Sequence, residues 1–141
     1  MKKKSKRKGV AYWKGKAWDE FSKYIRLQDA IATTGTKTHA KCISCGKVYP
    51  AFGVGCLQAG HLIGKRRALN LFDERGCNAQ CFNCNYHLNG NWRCYYDAML
   101  KKHGKKVIEE LIAQDRKDHK WMISELTDLR DKYKLLVKDM T

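Results

Sequence analysis

Residues 80–91 read QCFNCNYHLNGN, and together with CISCG at residues 42–46 they decide the fold. Each stretch contains one CxxC pair, and thirty-five residues separate the two pairs. Four thiolates in two such pairs satisfy tetrahedral Zn²⁺ and leave no position open for water, which is typical of a structural site. The predicted zinc ligands are Cys42, Cys45, Cys81 and Cys84.

The alternative is that one of the pairs is a redox dithiol. Redox CxxC motifs occur singly beside a βαβ pattern, which this chain lacks, so the spacing favours zinc. Zinc binding would contribute on the order of 10 kcal/mol to folding. Cys56, Cys77 and Cys94 are left without an assigned role, although Cys77 could compete for the metal.

The composition indicates a polyanionic partner. Among 141 residues, 29 lysines and arginines stand against 14 acids, a formal charge of +15, and 43% of the residues are hydrophobic. This suits one modest domain that binds nucleic acid. The sequence has no long apolar run and no apolar segment behind its basic N-terminus, so we expect a cytoplasmic protein with no membrane partner.

The chain divides into four predicted zones, and the predicted class is α+β. Residues 1–12 form a flexible basic arm, residues 13–35 an N-terminal helix ending at Gly35, residues 36–94 a zinc-stabilised core, and residues 95–141 a C-terminal helical region. The last helical pattern, from Ile123 to Val137, has one apolar face that could pack on the core or on a second subunit.

A histidine lies between the two CxxC pairs. His61 follows a Gly-punctuated apolar run, Tyr49–Leu57, that could form a hairpin, and residues 85–91 follow the second pair where a helix could begin. Zinc would hold the histidine-bearing strand against that helix start. Phosphodiester hydrolysis needs a proton acceptor that titrates near neutrality and a cation at the developing charge, and His61 suits the first task.

This arrangement resembles the HNH, or ββα-metal, endonucleases with a treble-clef zinc core. The order and local spacing of the motifs narrow the resemblance to the phage NinG (Rap) family. The residues that carry it are Cys42 to Gly46, Ala59 to His61, Phe72 to Arg75, Gln80 to Asn85, His87, Gly90 and Asn91.

The resemblance implies a phage-encoded recombination nuclease that acts in the bacterial host cytoplasm. It would cut branched DNA such as Holliday junctions and D-loops, with His61 as general base. Asn85 and His87 would be catalytic residues and candidate ligands of a Mg²⁺ or Mn²⁺ ion. We further expect a homodimer, because a resolvase that cuts two strands is most simply two-fold symmetric. We also expect that a phage recombinase or annealing protein recruits it.

The chain departs from the wider HNH pattern at one candidate metal ligand. Many HNH members carry an acidic metal ligand directly before the catalytic histidine, where this chain has Gly60. Glu74 and Asp73 are then the nearest candidate carboxylates, and for Glu74 the alternative is a solvated charge or a salt bridge to Arg75. Asn85 could cap a helix instead of binding the cation, or do both.

Clustered basic residues are the predicted DNA contacts. One group follows His61 and would hold the phosphates beside the scissile bond, and the N-terminal arm would add affinity that falls as salt rises. The predicted contacts are Lys65, Arg66, Arg67, Lys2, Lys3, Lys4, Lys6, Arg7 and Lys8.

Two other functions stay open at this point. The chain could be a non-catalytic, zinc-dependent DNA-binding or adaptor module, in which case replacing His61 would not change its function. It could also be an HNH nuclease that cuts linear duplex, in which case it would cut duplex as well as junctions.

Overall fold

The computed structural model describes residues 7–64 and 68–141, in which helices surround two small sheets. The helices are α1 (Val10–Thr34), α2 (Trp92–Lys102), α3 (Lys105–Asp115) and α4 (Ile123–Met140). The strands are β1 (His39–Lys41), β2 (Val48–Pro50), β3 (Gln58–His61) and β4 (Cys77–Gln80). Short 3-10 turns cover Ala68–Phe72 and Glu74–Gly76, and a π-helical turn covers Asn83–His87.

Each sheet is one antiparallel strand pair. Strand β1 pairs with β2 so that Ala40 lies opposite Tyr49, and β3 pairs with β4 so that His61 lies opposite Cys77. The first CxxC pair occupies the turn between β1 and β2. The predicted hairpin over residues 49–57 is therefore wrong, because β2 pairs backward across the CxxC turn and the glycines of that run form a loop leading into β3.

Helix α1 begins earlier than its apolar pattern indicates. It starts at Val10, after Gly9, so residues 10–12 are helical and do not belong to the predicted arm. Residues 10–12 are exposed, so they add no buried positions to the apolar repeat of the helix. For this reason the apolar pattern placed the start of the helix at Trp13. At the other end, Gly35 adopts the left-handed conformation (φ 71°) and its amide donates to the Ile31 carbonyl, which ends the helix.

The main core lies between α1, α4 and the β3–β4 hairpin. Phe21 and Ile25 of α1 are buried against Leu126 and Tyr133 of α4, and Phe21 meets Tyr133 edge-on with ring centroids 5.0 Å apart. The apolar face of α4 thus packs on its own chain. Homodimerisation remains a prediction, and the buried part of this face does not supply its interface.

The molecule is a mixed α+β domain whose two hairpins are held between helices. Across residues 7–64 and 68–141, no helix is long and apolar enough to span a bilayer.

Candidate functional site

The four predicted zinc ligands meet at one point. The sulfurs of Cys42, Cys45, Cys81 and Cys84 all lie within 4.8 Å of one another, and the Cys45 and Cys81 sulfurs are 3.9 Å apart. A tetrahedral ion with Zn–S bonds of about 2.3 Å needs sulfurs about 3.8 Å apart, so the cluster fits zinc. Three of these cysteines are buried and Cys45 is exposed, and four cysteine ligands would leave no coordination position for a substrate.

Amide groups surround the cluster and stabilise negative sulfur. The backbone N–H groups of Cys45 and Cys81 point to the Cys42 sulfur at 3.5 and 3.3 Å, and that of Cys84 points to the Cys81 sulfur at 3.4 Å. The Asn91 side chain donates to the Cys84 sulfur at 3.4 Å. Asn91 directly precedes α2 in the left-handed conformation (φ 43°), and its amide thus adds a hydrogen bond from outside the ligand set.

The other cysteines lie elsewhere. Cys77 is buried at the start of β4 among the apolar side chains of the main core, and it is not part of the sulfur cluster. Cys94 is exposed on α2, and the half-buried Cys56 lies 3.7 Å from the Arg26 guanidinium. Among the described residues, the cysteines that lie close enough together to hold a metal ion are therefore the predicted four.

A cleft of about 630 Å³ opens beside the sulfur cluster. His61, from the end of β3, lines it together with Asn85 and His87, from the π-helical turn that follows Cys84. The fold therefore brings the three predicted catalytic residues to one surface. Its other lining residues are Ala59, Gly60, Leu62, Tyr86, Asn89, Gly90 and Trp92, none of them acidic.

His61 is held from two sides. The Trp18 ring of α1 stacks on the imidazole with centroids 5.4 Å apart and planes at 29°. The Nε2 atom lies 3.1 Å from the Leu71 carbonyl oxygen, which can only accept a hydrogen bond. Nε2 must then carry the proton, and in the neutral ring the lone pair resides on Nδ1.

Asn85 lies inside the π-helical turn. Its backbone N–H donates to the Cys81 carbonyl at 2.9 Å, and its side-chain Nδ2 donates to Gln58 Oε1 at 2.7 Å. The interpretation of Asn85 as a helix cap is wrong, since Phe82 precedes the π-helical turn and Asn91 precedes α2. Isolated π-helical turns occur frequently at functional sites.

Gly60 is required by close packing. A Cβ at this position would lie 2.1 Å from Gln80 Oε1 and 3.1 Å from Gln80 Cδ. The buried Gln80 side chain donates to Ser44 Oγ at 2.9 Å and to the Gly90 carbonyl at 2.7 Å, so it joins the CxxC turn to the rim of the cleft. Gln80 therefore occupies the space that an acidic side chain at position 60 would need.

We expect Gly60→Ala to destabilise the protein by about 1–3 kcal/mol, because the added methyl group overlaps the buried Gln80 amide. Gly15→Ala is the matched control: nothing lies within 4 Å of a Cβ there, and alanine favours the helix. Thermal unfolding followed by circular dichroism should show a melting temperature several degrees lower for the first variant only. Equal melting temperatures would contradict the packing argument.

Glu74 does not line the His61 cleft. It borders a second cleft, between the 3-10 turns and α4, which Tyr133 also lines. Burial, followed by the Glu74 carboxylate, raises the pKa of Tyr24 and Tyr133. Arg75 pairs with Asp73 at 2.8 Å and with Glu110, and not with Glu74.

The predicted DNA contacts lie mostly outside the described residues. Lys65, Arg66 and Arg67 and arm residues Lys2, Lys3, Lys4 and Lys6 fall in the undescribed segments. Arg7 and Lys8 are exposed before α1, and the Lys8 ammonium lies 5.1 Å from the Tyr12 ring centroid.

The chain was compared with known protein families. The family model described as bacteriophage lambda NinG protein matches residues 1–141, the full length given. The chain belongs to the NinG family. It is 30% identical to protein ninG of Escherichia phage 933W and 29% identical to protein ninG of Escherichia phage lambda, in each case over 131 residues.

The matches cover 92% of this chain but only 59% and 58% of those two relatives. The chain thus spans about three fifths of the length of the curated NinG proteins. No solved structure matches it. The family assignment confirms the NinG resemblance noted in the sequence, and the sulfur cluster and the cleft lie within this NinG-family chain.

Proposed function

We propose that this NinG-family chain is an HNH-type endonuclease with a treble-clef zinc core, and that it hydrolyses phosphodiester bonds in branched DNA during phage recombination. The observation that carries the proposal is the cleft in which His61 meets Asn85 and His87 beside the four-cysteine cluster. The order of elements is also consistent with a ββα-metal core, since strands β3 and β4 are followed by the π-helical turn and α2.

His61 would act as the general base. The Leu71 carbonyl keeps the proton on Nε2 and the Trp18 ring fixes the imidazole plane, so Nδ1 would take the proton from the attacking water. A base held in one tautomer needs no reorganisation before it accepts that proton. Trp18 and Leu71 are in this proposal positioning residues.

Asn85 and His87 would hold the divalent cation. Because Asn85 Nδ2 donates to Gln58 Oε1, the Oδ1 atom would be the amide end that binds a cation, and His87 would add an imidazole. When bound, the cation would stabilise charge on the phosphate and the leaving oxygen. Because these two donors are neutral, we expect weak binding until DNA phosphate oxygens complete the site, and better activity with Mn²⁺, which accepts imidazole more readily than Mg²⁺.

The acid-free cleft also supports the second candidate, a zinc-dependent DNA-binding module without catalysis. Gly60 leaves no carboxylate before His61, and Glu74 lines the other cleft. Such a module would bind branched DNA in the same cleft and leave it intact.

Cleavage of a labelled four-way junction, beside a linear duplex with the same arm sequence, tests the function. We expect cuts near the branch point in Mn²⁺ and in Mg²⁺, with the duplex left intact. Equal cutting of both substrates would favour the duplex nuclease. Tight junction binding without cleavage in either metal would favour the binding module.

A further inference from the structure

Exposed apolar side chains gather beside the His61 cleft. Phe82, Tyr86, Leu88 and Trp92 lie within eleven residues, and their side chains are 49%, 65%, 51% and 55% exposed. Tyr86 and Trp92 also line the cleft itself. A cluster of exposed apolar side chains on a soluble domain marks a candidate binding surface, and the proposed proton transfer does not use these rings.

Both rings are held by a stacked neighbour. The Tyr86 ring lies on Phe82 with centroids 5.1 Å apart and planes at 11°, and the Trp92 indole lies on Tyr96 with centroids 4.9 Å apart and planes at 23°. A ring already fixed by a neighbour loses little conformational entropy when a ligand stacks on it. The two pairs therefore form prearranged flat surfaces.

The charge around these rings identifies the class of ligand. Residues 76–96 contain no aspartate or glutamate, and Arg93, next to Trp92, is exposed. The chain as a whole carries a formal net charge of +15. A ligand that suits an aromatic surface in such a field is both flat and anionic, which describes nucleotides whose bases are not paired.

We infer that Tyr86 and Trp92 stack on unpaired bases at a DNA branch point and thereby place the adjoining phosphodiester in the His61 cleft. The inference rests on the proposed function, and it names the residues that would give the nuclease its selectivity for branched DNA over duplex. Fully paired duplex keeps its base faces inside the stack, so it can use the basic residues but not the two rings. A branch, bulge or flap exposes those faces.

The test measures binding without cleavage, in the His61→Gln background. The probes are a duplex with a three-nucleotide bulge that carries 2-aminopurine, the same duplex without the bulge, and a bulge of abasic sites. We expect the base-containing bulge to bind tighter than the duplex and its fluorescence to be quenched. Adding Trp92→Ala should weaken bulge binding roughly 5- to 100-fold, leave duplex and abasic-bulge binding unchanged, and abolish the quenching, while Trp92→Phe retains most of the affinity.

Phe52→Ala is the matched control, because Phe52 is an exposed aromatic residue outside the cleft lining. It should change none of these values. The inference is overturned if His61→Gln protein that retains Tyr86 and Trp92 binds the bulged duplex no more tightly than the plain duplex. It is equally overturned if Trp92→Ala weakens binding of all three probes by the same factor. It is also overturned if Tyr86→Ala and Trp92→Ala together leave the bulge preference intact, since other residues would then supply that preference. Each outcome is independent of cleavage, so it can be told apart from failure of the proposed nuclease activity.

Discussion

Substituting Cys81 with serine is expected to abolish zinc binding and unfold the region that carries the cleft. Structural zinc of this type contributes on the order of 10 kcal/mol, which is comparable to the whole stability of a domain of this size. The sulfur cluster joins the β1–β2 turn to the π-helical turn, and both hairpins contain strands of only three or four residues. Strands this short do not hold a hairpin together in water by themselves.

Metal content and thermal unfolding measure this effect. Purified protein should contain one zinc ion per chain, and Cys81→Ser should contain none and show no cooperative melting of the native state. Cys94→Ser is the matched control, because Cys94 is exposed and lies outside the cluster. If Cys81→Ser melted like wild type, the cluster would not be a folding site, and a redox pair would become the better explanation.

Replacing His61 with glutamine is expected to lower the rate of junction cleavage by roughly 10²- to 10⁴-fold, the usual contribution of a general base. Glutamine can still donate to the Leu71 carbonyl, so it preserves the hydrogen bond that His61 makes at 3.1 Å. Alanine would leave that carbonyl without its donor and remove the ring stacked on Trp18, which adds a stability cost of about 1–3 kcal/mol. The glutamine variant therefore tests the loss of the general base without the added loss of stability expected for alanine.

Single-turnover cleavage and junction binding should be measured on the same preparations. Binding of His61→Gln should stay within a factor of two or so of wild type, because the basic residues supply the affinity. His39→Ala serves as the control, since His39 is an exposed histidine on β1 away from the cleft. A His61→Gln protein that cuts at the wild-type rate would eliminate His61 as the base.

Part of the site could be predicted from local sequence. The CxxC spacing predicted the sulfur cluster because two cysteines three residues apart in a tight turn already point the same way, and one ion needs two such pairs. His61 was singled out because it lies between those pairs. The fold brings it to one cleft with Asn85 and His87, as the motif order suggested.

Other parts depended on contacts between distant segments. Glu74 is only thirteen residues from His61 in sequence, yet the 3-10 turn before β4 directs it to tyrosines of α1 and α4. The reason for Gly60 lies in Gln80, on the neighbouring strand, and no local pattern shows that their atoms compete for one space. The Leu71 carbonyl, which selects the tautomer of His61, is a backbone atom with no signature in the sequence at all.

The sequence by itself thus determined the four clustered cysteines, the basic character and the main helices, because cysteine spacing, net charge and apolar periodicity are properties of short segments or of composition. Tertiary structure alone decided which polar groups share the cleft, which carboxylates are excluded from it, and that the apolar face of α4 packs on α1. Those outcomes depend on packing in three dimensions, where a single buried amide or carbonyl decides what its neighbour can do.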